Sequence, residues 1–124
     1  MARVLVVDDE DSMRLLVQRA IAMDGHEVLT AADGAEALER LAGAEGAFDL
    51  LLTDIQMPVM DGIALALTAA RDFPNLTILL MTGFADQREG ASGLNAIAHD
   101  VISKPFSVAD IRTAVADALA SKKA

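Results

Sequence analysis

The sequence predicts a doubly wound α/β fold, in which helices cover both faces of a five-stranded parallel sheet. Three short apolar runs, at residues 4–7, 48–52 and 76–81, lack any polar–apolar alternation, which is typical of strands buried on both faces. Weaker strand signals lie at residues 26–30 and 101–103. Segments of helical period separate these runs. Strand and helix therefore alternate five times, an order that right-handed crossovers assemble into a parallel sheet.

The helices are predicted from apolar stripes and from signals at their ends. One stripe comprises Met13, Leu16, Val17, Ala20 and Ile21, and another comprises Val108, Ile111, Val115, Ala118 and Leu119. The end signals are two capping-box spacings, Asp33 with Glu36 and Ser107 with Asp110, and two glycines that follow expected helix ends, Gly25 and Gly43.

The predicted fourth helix is weaker than the others. It falls between Met81 and Val101, where Gly90 and Gly93 interrupt the helical pattern. Each glycine costs about 1 kcal/mol relative to alanine inside a helix. We therefore expect this helix to be short or mobile.

Composition narrows the class of protein. With 124 residues, 53% of them apolar, the chain has the length and the apolar content of one domain. We expect a single domain over residues 1–124 without an output domain, since the chain ends soon after the predicted fifth helix. The net charge of −9 argues against nucleic acid and anionic membranes as partners. The absence of cysteine, of a signal segment and of a membrane-spanning run predicts a cytoplasmic protein.

Polar residues follow four of the predicted strands. Their positions are Asp8 and Asp9 after the first strand, Asp54 after the third, Thr82 after the fourth and Lys104 after the fifth. In a doubly wound sheet the ligand crevice lies outside the carboxyl ends of the strands. The five side chains are therefore expected to converge on one edge of the sheet.

The chemistry of these side chains predicts a magnesium-dependent phosphoryl site. Three neighbouring carboxylates repel one another unless a hard divalent cation offsets the repulsion, and Mg²⁺ fits best. The alternative is an ordinary acidic surface. Asp54 could act as a nucleophile toward phosphorus, while the ammonium of Lys104 and the hydroxyl of Thr82 take up negative charge. The only other lysines lie in the tail.

At this point the sequence resembles a known family. The acidic pair Asp8-Asp9 after an apolar strand, LLTDIQMPVMDG at residues 51–62, MTG at 81–83 and SKPF at 103–106 are together similar to the receiver domain of two-component response regulators. The resemblance covers essentially the whole chain. It implies a flavodoxin-like fold with strand order 2-1-3-4-5.

The resemblance also implies roles for individual residues. Asp54 would be the phosphoacceptor, Asp9 a direct Mg²⁺ ligand and Asp8 a ligand acting mainly through water. The remaining positions are the backbone carbonyl of Gln56 as a metal contact, Thr82 as the switch hydroxyl, Lys104 as the ammonium and Gly83 as space beside the phosphoryl group. Met57-Pro58 and Asp61-Gly62 would form the structural loop before the third helix.

The partners follow from the same resemblance. A histidine kinase or a histidine phosphotransfer protein would donate the phosphoryl group and would contact the first helix near Arg14 and Gln18. An unidentified downstream protein would bind the face made by the fourth helix, the fifth strand and the fifth helix. As in the family, phosphorylation would change the surface of that face.

One position departs from the family pattern. Many receivers have an aromatic residue three positions before the lysine, and this chain has Val101 there. Phe84 is a candidate replacement, or it packs against the predicted fourth helix. Gln56 and Phe84 border the entrance to the phosphoryl group in the family and would tune the lifetime of the acyl phosphate.

Smaller assignments remain from the residues themselves. The histidines, His26 and His99, are interpreted as surface or strand-end residues. Of the acids that follow the first strand, Glu10 is expected to face solvent and Asp11 to cap the first helix, whose positive end favours a carboxylate.

Other functions remain as alternatives. A phosphohydrolase with an aspartate nucleophile needs a second acid two residues after it, where this chain has Gln56. A receiver-like adaptor that binds proteins independently of phosphorylation is the main alternative, and Val101 supports it. A dinucleotide enzyme is excluded, because no G-x-G-x-x-G follows the first strand.

Overall fold

The computed structural model describes residues 2–43, 47–57, 60–83, 98–104 and 106–123. The strands are β1 (Arg3–Val7), β2 (Glu27–Ala31), β3 (Leu50–Asp54), β4 (Thr77–Thr82) and β5 (Asp100–Ser103). The helices in the described residues are α1 (Asp11–Ala22), α2 (Gly34–Gly43), α3 (Gly62–Asp72) and α4 (Val108–Lys123), of which α4 is the predicted fifth helix. All neighbouring strands are parallel, in the order β2-β1-β3-β4-β5.

The predicted fold class and strand order are confirmed, and the differences are local. The third strand begins at Leu50, whereas the apolar run begins at Phe48. Phe48 is buried against the helical layer instead of pairing in the sheet, with the Arg3 guanidinium 5.2 Å from its ring centroid. The predicted fourth helix, with Gly90 and Gly93, lies outside the described residues, as do Phe84 and Pro58.

Two apolar layers flank the sheet. The layer under α2 and α3 includes Leu5, Val7, Leu51, Ile78, Leu80, Leu41 and Leu65. The layer under α1 and α4 includes Val4, Val6, Leu50, Leu52, Leu79, Met81, Ile21 and Ile111. Residues of one strand thus alternate between the layers, as the pleat requires. The central strands are buried on both faces, which explains their continuous apolar sequence.

The same alternation places the acidic residues. Leu50 and Leu52 face the α1 and α4 layer, and Asp54 is the next residue in that series. Val7 is in register with Thr53, so Asp8 and Asp54 follow side by side on the two adjacent central strands. The sheet therefore brings two carboxylates together at its carboxyl edge.

The helix ends agree with most of the predicted signals. Ser107 and Asp110 form a reciprocal capping box before α4, with Ser107 Oγ accepting from the Asp110 N–H at 3.0 Å and Asp110 Oδ2 accepting from the Ser107 N–H at 2.9 Å. Asp33 accepts from the Glu36 N–H at 2.8 Å, but the Glu36 carboxylate accepts from the N–H of Ala32. Gly25 has a φ of +84°, a conformation that favours glycine, just after α1.

One predicted helix end is wrong. Asp11 is the first residue inside α1, and Glu10 occupies the N-cap position without a side-chain capping bond. The carboxylate of Asp11 instead pairs with Arg14, three residues along the helix. An acid in the first turn still interacts favourably with the helix dipole.

No helix in the described ranges combines the length and the hydropathy that crossing a bilayer would require.

Candidate functional site

Three carboxylates meet at the carboxyl edge of the sheet. Asp8, Asp9 and Asp54 can each direct one oxygen so that all three atoms lie within 4.8 Å of one another. Asp8 follows β1 and is fully buried, and Asp54 ends β3 and is also buried, whereas Asp9 is exposed. The cluster is therefore anchored in the protein and open to solvent on one side.

Lys104 provides the positive charge of this cluster. Its Nζ lies 3.3 Å from Asp54 Oδ2 and 3.5 Å from Asp8 Oδ2. Its position is fixed through the backbone, because the Lys104 N–H donates to the Thr82 carbonyl at 2.6 Å. Thr82 ends β4 and is buried. The ends of four strands, β1, β3, β4 and β5, thus supply the predicted residues to one edge.

Gly83, which follows Thr82, is exposed and lies beside the carboxylate cluster. A Cβ atom added at Gly83 would lie 4.0 Å from Cδ of Lys104. A cavity of about 550 Å³ opens here, lined by Asp9, Glu10, Asp54, Gln56, Met57, Gly83 and Lys104. The opening leaves the carboxylate cluster accessible to a small ligand.

Asp8 is held by the turn that follows it. Its Oδ1 accepts from the Glu10 N–H at 2.9 Å, and its backbone carbonyl accepts from Arg14 Nη1 at 2.7 Å. Its own N–H donates to the carbonyl of Ala31 in β2 at 3.3 Å. These bonds fix both the backbone and the carboxylate of Asp8.

Asp54 is held by the loop that leads to α3. The Gln56 N–H lies 3.4 Å from Asp54 Oδ1, and the Gly62 N–H donates to the Ile55 carbonyl at 2.7 Å. A Cβ on Gly62 would lie 2.1 Å from the Asp54 backbone oxygen, so only glycine fits without displacement. Asp61 caps α3 by accepting from the Ala64 N–H at 2.8 Å. The Asp61-Gly62 pair therefore has the structural role that was predicted.

Burial dominates the electrostatics of the cluster. It raises the pKa of both Asp8 and Asp54 above the ordinary aspartate value, while the nearby Lys104 ammonium opposes this rise. For Asp54 the negative charge of Asp8 adds to the rise in pKa. A hard cation with oxygen ligands would relieve this repulsion, and carboxylates are suitable ligands for Mg²⁺. The donor set present fits such an ion.

The histidines and Val101 lie outside this cluster. His26 Nδ1 accepts from the Ala2 N–H at 3.1 Å beside the start of β2. His99 Nε2 lies 3.0 Å from Asp117 Oδ2 on α4. These contacts agree with the interpretation as strand-end residues. Val101 is half-buried and packs against the core layer under α2 and α3.

Two features of the site were not predicted from the sequence. The first is Arg14, which was assigned to the surface facing the kinase but bonds to the backbone of Asp8 and has only 20% of its side chain exposed. The second is the close approach of Gly62 to Asp54. The spacing of Arg14, six residues after Asp8 in the first turn of α1, was the available signal for the first.

The fold and the site together define a class of protein. A five-stranded parallel sheet with helices on both faces, carrying three carboxylates and a lysine at its carboxyl edge, is the architecture of a signalling receiver. Residues 4–116 match the family described as the response regulator receiver domain. The chain belongs to this family of two-component response regulators.

Similar proteins differ in how much of their length the chain spans. It is 40% identical over 105 residues to the DNA-binding transcriptional regulator NtrC of Escherichia coli (strain K12). This alignment covers 85% of this chain and 22% of NtrC. It is 40% identical over 111 residues to the response regulator receiver protein CpdR of Brucella abortus (strain 2308). This alignment covers 90% of this chain and 91% of CpdR. The chain thus corresponds to about a fifth of NtrC and to most of CpdR.

Solved structures show the same fold. A receiver domain protein from Clostridium thermocellum has a TM-score of 0.90 and 27% identity, covering 99% of this chain and 98% of that one. A CheY-like receiver domain protein from Methanospirillum hungatei JF-1 has a TM-score of 0.89 and 28% identity, covering 99% and 97% of the two chains.

Proposed function

We propose that this chain is a Mg²⁺-dependent phosphoacceptor that takes a phosphoryl group on Asp54 from a histidine kinase or a histidine phosphotransfer protein. The observation that supports this most strongly is the contact of one ammonium, that of Lys104, with the buried carboxylates of both Asp8 and Asp54. The carboxylates of such a site can bind a cation, and its ammonium can bind the oxygens of a phosphoryl group.

In the proposed reaction an oxygen of Asp54 attacks the phosphorus of a phosphohistidine. The P–O bond forms as the P–N bond breaks, and the electron pair of the broken bond returns to the imidazole of the donor. Mg²⁺, when bound, would neutralise charge on the phosphoryl oxygens. Asp9 would bind the ion directly, Asp8 mainly through water, and Gln56 through its backbone carbonyl.

Two further residues would act on the phosphoryl group itself. The Lys104 ammonium, now 3.3 Å from Asp54 Oδ2, would move to a phosphoryl oxygen once Asp54 carries the group. The hydroxyl of Thr82 would donate to another phosphoryl oxygen. The chain itself performs no other chemistry in this proposal, so it acts as a switch and is not an enzyme in the usual sense.

The output would be a change in a protein-binding face. This face would comprise the predicted fourth helix together with β5 and α4, and residues 1–124 would act as a single receiver. The alignment with nearly the whole of CpdR supports the proposal that residues 1–124 act as a single receiver. An adaptor that does not depend on phosphorylation is the second candidate, because Val101 supplies no aromatic ring that could move with Thr82.

The phosphoacceptor is tested with a small phosphodonor and intact-protein mass spectrometry. In Mg²⁺ the wild-type chain should gain one phosphoryl group, and it should gain none in EDTA. Asp54→Asn should gain none, whereas Asp72→Asn, which removes an exposed carboxylate paired with Arg71, should behave as wild type. Phosphorylation that survives Asp54→Asn would exclude the assignment.

The two candidate outputs are separated by beryllofluoride, which mimics the phosphoryl group. A switch predicts NMR shift changes that extend over residues 82–99. Changes confined to the residues around the metal site would favour the adaptor, because no conformational signal would then leave the site.

A further inference from the structure

Arg14 holds both ends of the turn that carries the acidic pair. Its Nη1 donates to the carbonyl of Asp8 at 2.7 Å, and its backbone N–H donates to the carbonyl of Glu10 at 2.9 Å. Its Nη2 pairs with the carboxylate of Asp11. With 20% of its side chain exposed, Arg14 is largely withdrawn from solvent. The side chain is therefore bonded to Asp8, the first residue of the turn at residues 8–10, and to Asp11, the residue that follows the turn.

This turn determines the direction of the Asp9 carboxylate. Asp8 has two carboxylate contacts besides the bond of its carbonyl to Arg14, because its Oδ1 accepts from the Glu10 N–H and its Oδ2 lies 3.5 Å from Lys104 Nζ. Asp9 is exposed, and within the described ranges no group donates a hydrogen bond to its carboxylate. The backbone between Asp8 and Glu10 is then what aims Asp9 at the other two carboxylates.

We propose that Arg14 is a positioning residue for the cation site, acting through the backbone of this turn. The proposal rests on the proposed function, in which Asp8, Asp9 and Asp54 hold Mg²⁺. Groups that orient metal ligands without touching the metal typically contribute 10–100-fold to metal affinity. Arg14 meets the geometric requirement through its 2.7 Å bond to Asp8.

The sign of the effect separates this role from a purely electrostatic one. Arg14 carries a positive charge close to the cluster, so its removal would strengthen Mg²⁺ binding if only Coulomb repulsion mattered. A positioning role predicts the opposite, because the turn would no longer direct Asp9 at the ion. A role confined to contact with a kinase predicts no loss of Mg²⁺ affinity.

The experiment compares Mg²⁺ dissociation constants by isothermal titration calorimetry. The test variant is Arg14→Gln. Arg19→Gln makes the same charge change near the other end of α1, and Asp11→Asn removes the second partner of Arg14 while leaving its bond to Asp8. Thermal unfolding without Mg²⁺ checks that each variant is folded.

We expect Arg14→Gln to bind Mg²⁺ about tenfold more weakly than wild type, with both controls close to wild type. Phosphorylation of Arg14→Gln by a small phosphodonor should be slow at limiting Mg²⁺ and should recover at saturating Mg²⁺. Equal or tighter Mg²⁺ binding by Arg14→Gln, or an equal loss in Arg19→Gln, would overturn the inference. A wild-type chain that binds no Mg²⁺ would instead refute the proposed function.

Discussion

The Nζ atom of Lys104 lies 3.3 Å from Oδ2 of Asp54, and 3.5 Å from Oδ2 of Asp8. A single ammonium therefore serves two buried carboxylates that come from adjacent strands. The lysine reaches them from β5, across β4, because its backbone N–H is bonded to the end of that strand. The ammonium offsets the repulsion between these carboxylates in the metal-free protein, and a bound cation would offset the same repulsion.

Removal of this ammonium should destabilise the metal-free protein. Lys104→Met leaves two buried carboxylates without their counter-ion, and loss of one partner of a fully buried pair costs about 3–5 kcal/mol. Because 19% of the Lys104 side chain is exposed, we expect a smaller loss, about 2 kcal/mol in the free energy of unfolding. Urea denaturation in EDTA measures it. Added Mg²⁺ should restore more stability to Lys104→Met than to wild type, and an equal gain in both would contradict this account.

The raised pKa of Asp54 predicts how the effect of replacing this residue on the free energy of unfolding changes with pH. Burial favours the protonated carboxyl, so the folded-state pKa lies above the unfolded one. The stability linked to this group is then fully present below the unfolded pKa and is lost as pH rises through the folded pKa. At neutral pH the carboxylate therefore destabilises the metal-free fold.

Asp54→Asn should accordingly raise the free energy of unfolding in EDTA at neutral pH, and the gain should shrink as pH falls toward 4. Urea denaturation at several pH values measures this trend. If Asp54→Asn were less stable than wild type at neutral pH, the attraction of Lys104 would outweigh the burial of the carboxylate.

Gly62→Ala should displace the phosphoacceptor. The added Cβ would lie 2.1 Å from the Asp54 carbonyl oxygen, so the backbone of β3 or of α3 must move. Overpacking of this kind typically costs 1–3 kcal/mol, and we expect a loss of about 2 kcal/mol together with slower phosphorylation from a small phosphodonor.

Gly43→Ala is the matched control for this change. Gly43 is the last residue of α2, and a Cβ added there meets nothing within 4 Å. Its stability and phosphorylation rate should remain close to wild type. Comparable damage from both alanines would show that the contact of Gly62 with Asp54 is not what matters.

The two acids after Asp8, Asp9 and Glu10, should differ in how much their replacement reduces Mg²⁺-dependent phosphorylation. Asp9→Asn removes one of the three clustered carboxylates and should abolish Mg²⁺-dependent phosphorylation. Glu10→Gln should have little effect, because the side chain of Glu10 accepts only from Ser12 within the described residues, and its backbone N–H still bonds to Asp8. Initial phosphorylation rates at fixed Mg²⁺ measure both. Equal losses would contradict this division of roles.

Much of the fold followed from local sequence patterns. The unbroken apolar runs at β1, β3 and β4 reflect burial on both faces, and that burial requires helices on each side of the sheet. The capping box of Ser107 and Asp110 marks the start of α4, because its two hydrogen bonds involve neighbours in the chain. Such signals need no information about distant segments.

The one wrong helix end, and the one capping box that is only partly formed, both involve competition between nearby hydrogen-bond partners. The carboxylate of Asp11 is close enough in sequence to cap α1, but it pairs with Arg14 inside the first turn. At the start of α2, Asp33 accepts from the Glu36 N–H as expected, but the Glu36 carboxylate accepts from the Ala32 N–H instead of the Asp33 N–H. Several acceptors and donors are within reach in each case, and the backbone path decides among them.

Local sequence patterns predicted which side chains would meet at the carboxyl edge of the sheet. Asp8, Asp54 and Lys104 each end or follow a strand, and parallel strands bring such positions to one edge. How these side chains are held depends on contacts between separate elements of the fold. The inward turn of Arg14 and the fit of Gly62 against Asp54 depend on distances of a few ångströms between separate segments. Those distances are fixed by packing of the whole domain, which local sequence patterns do not encode.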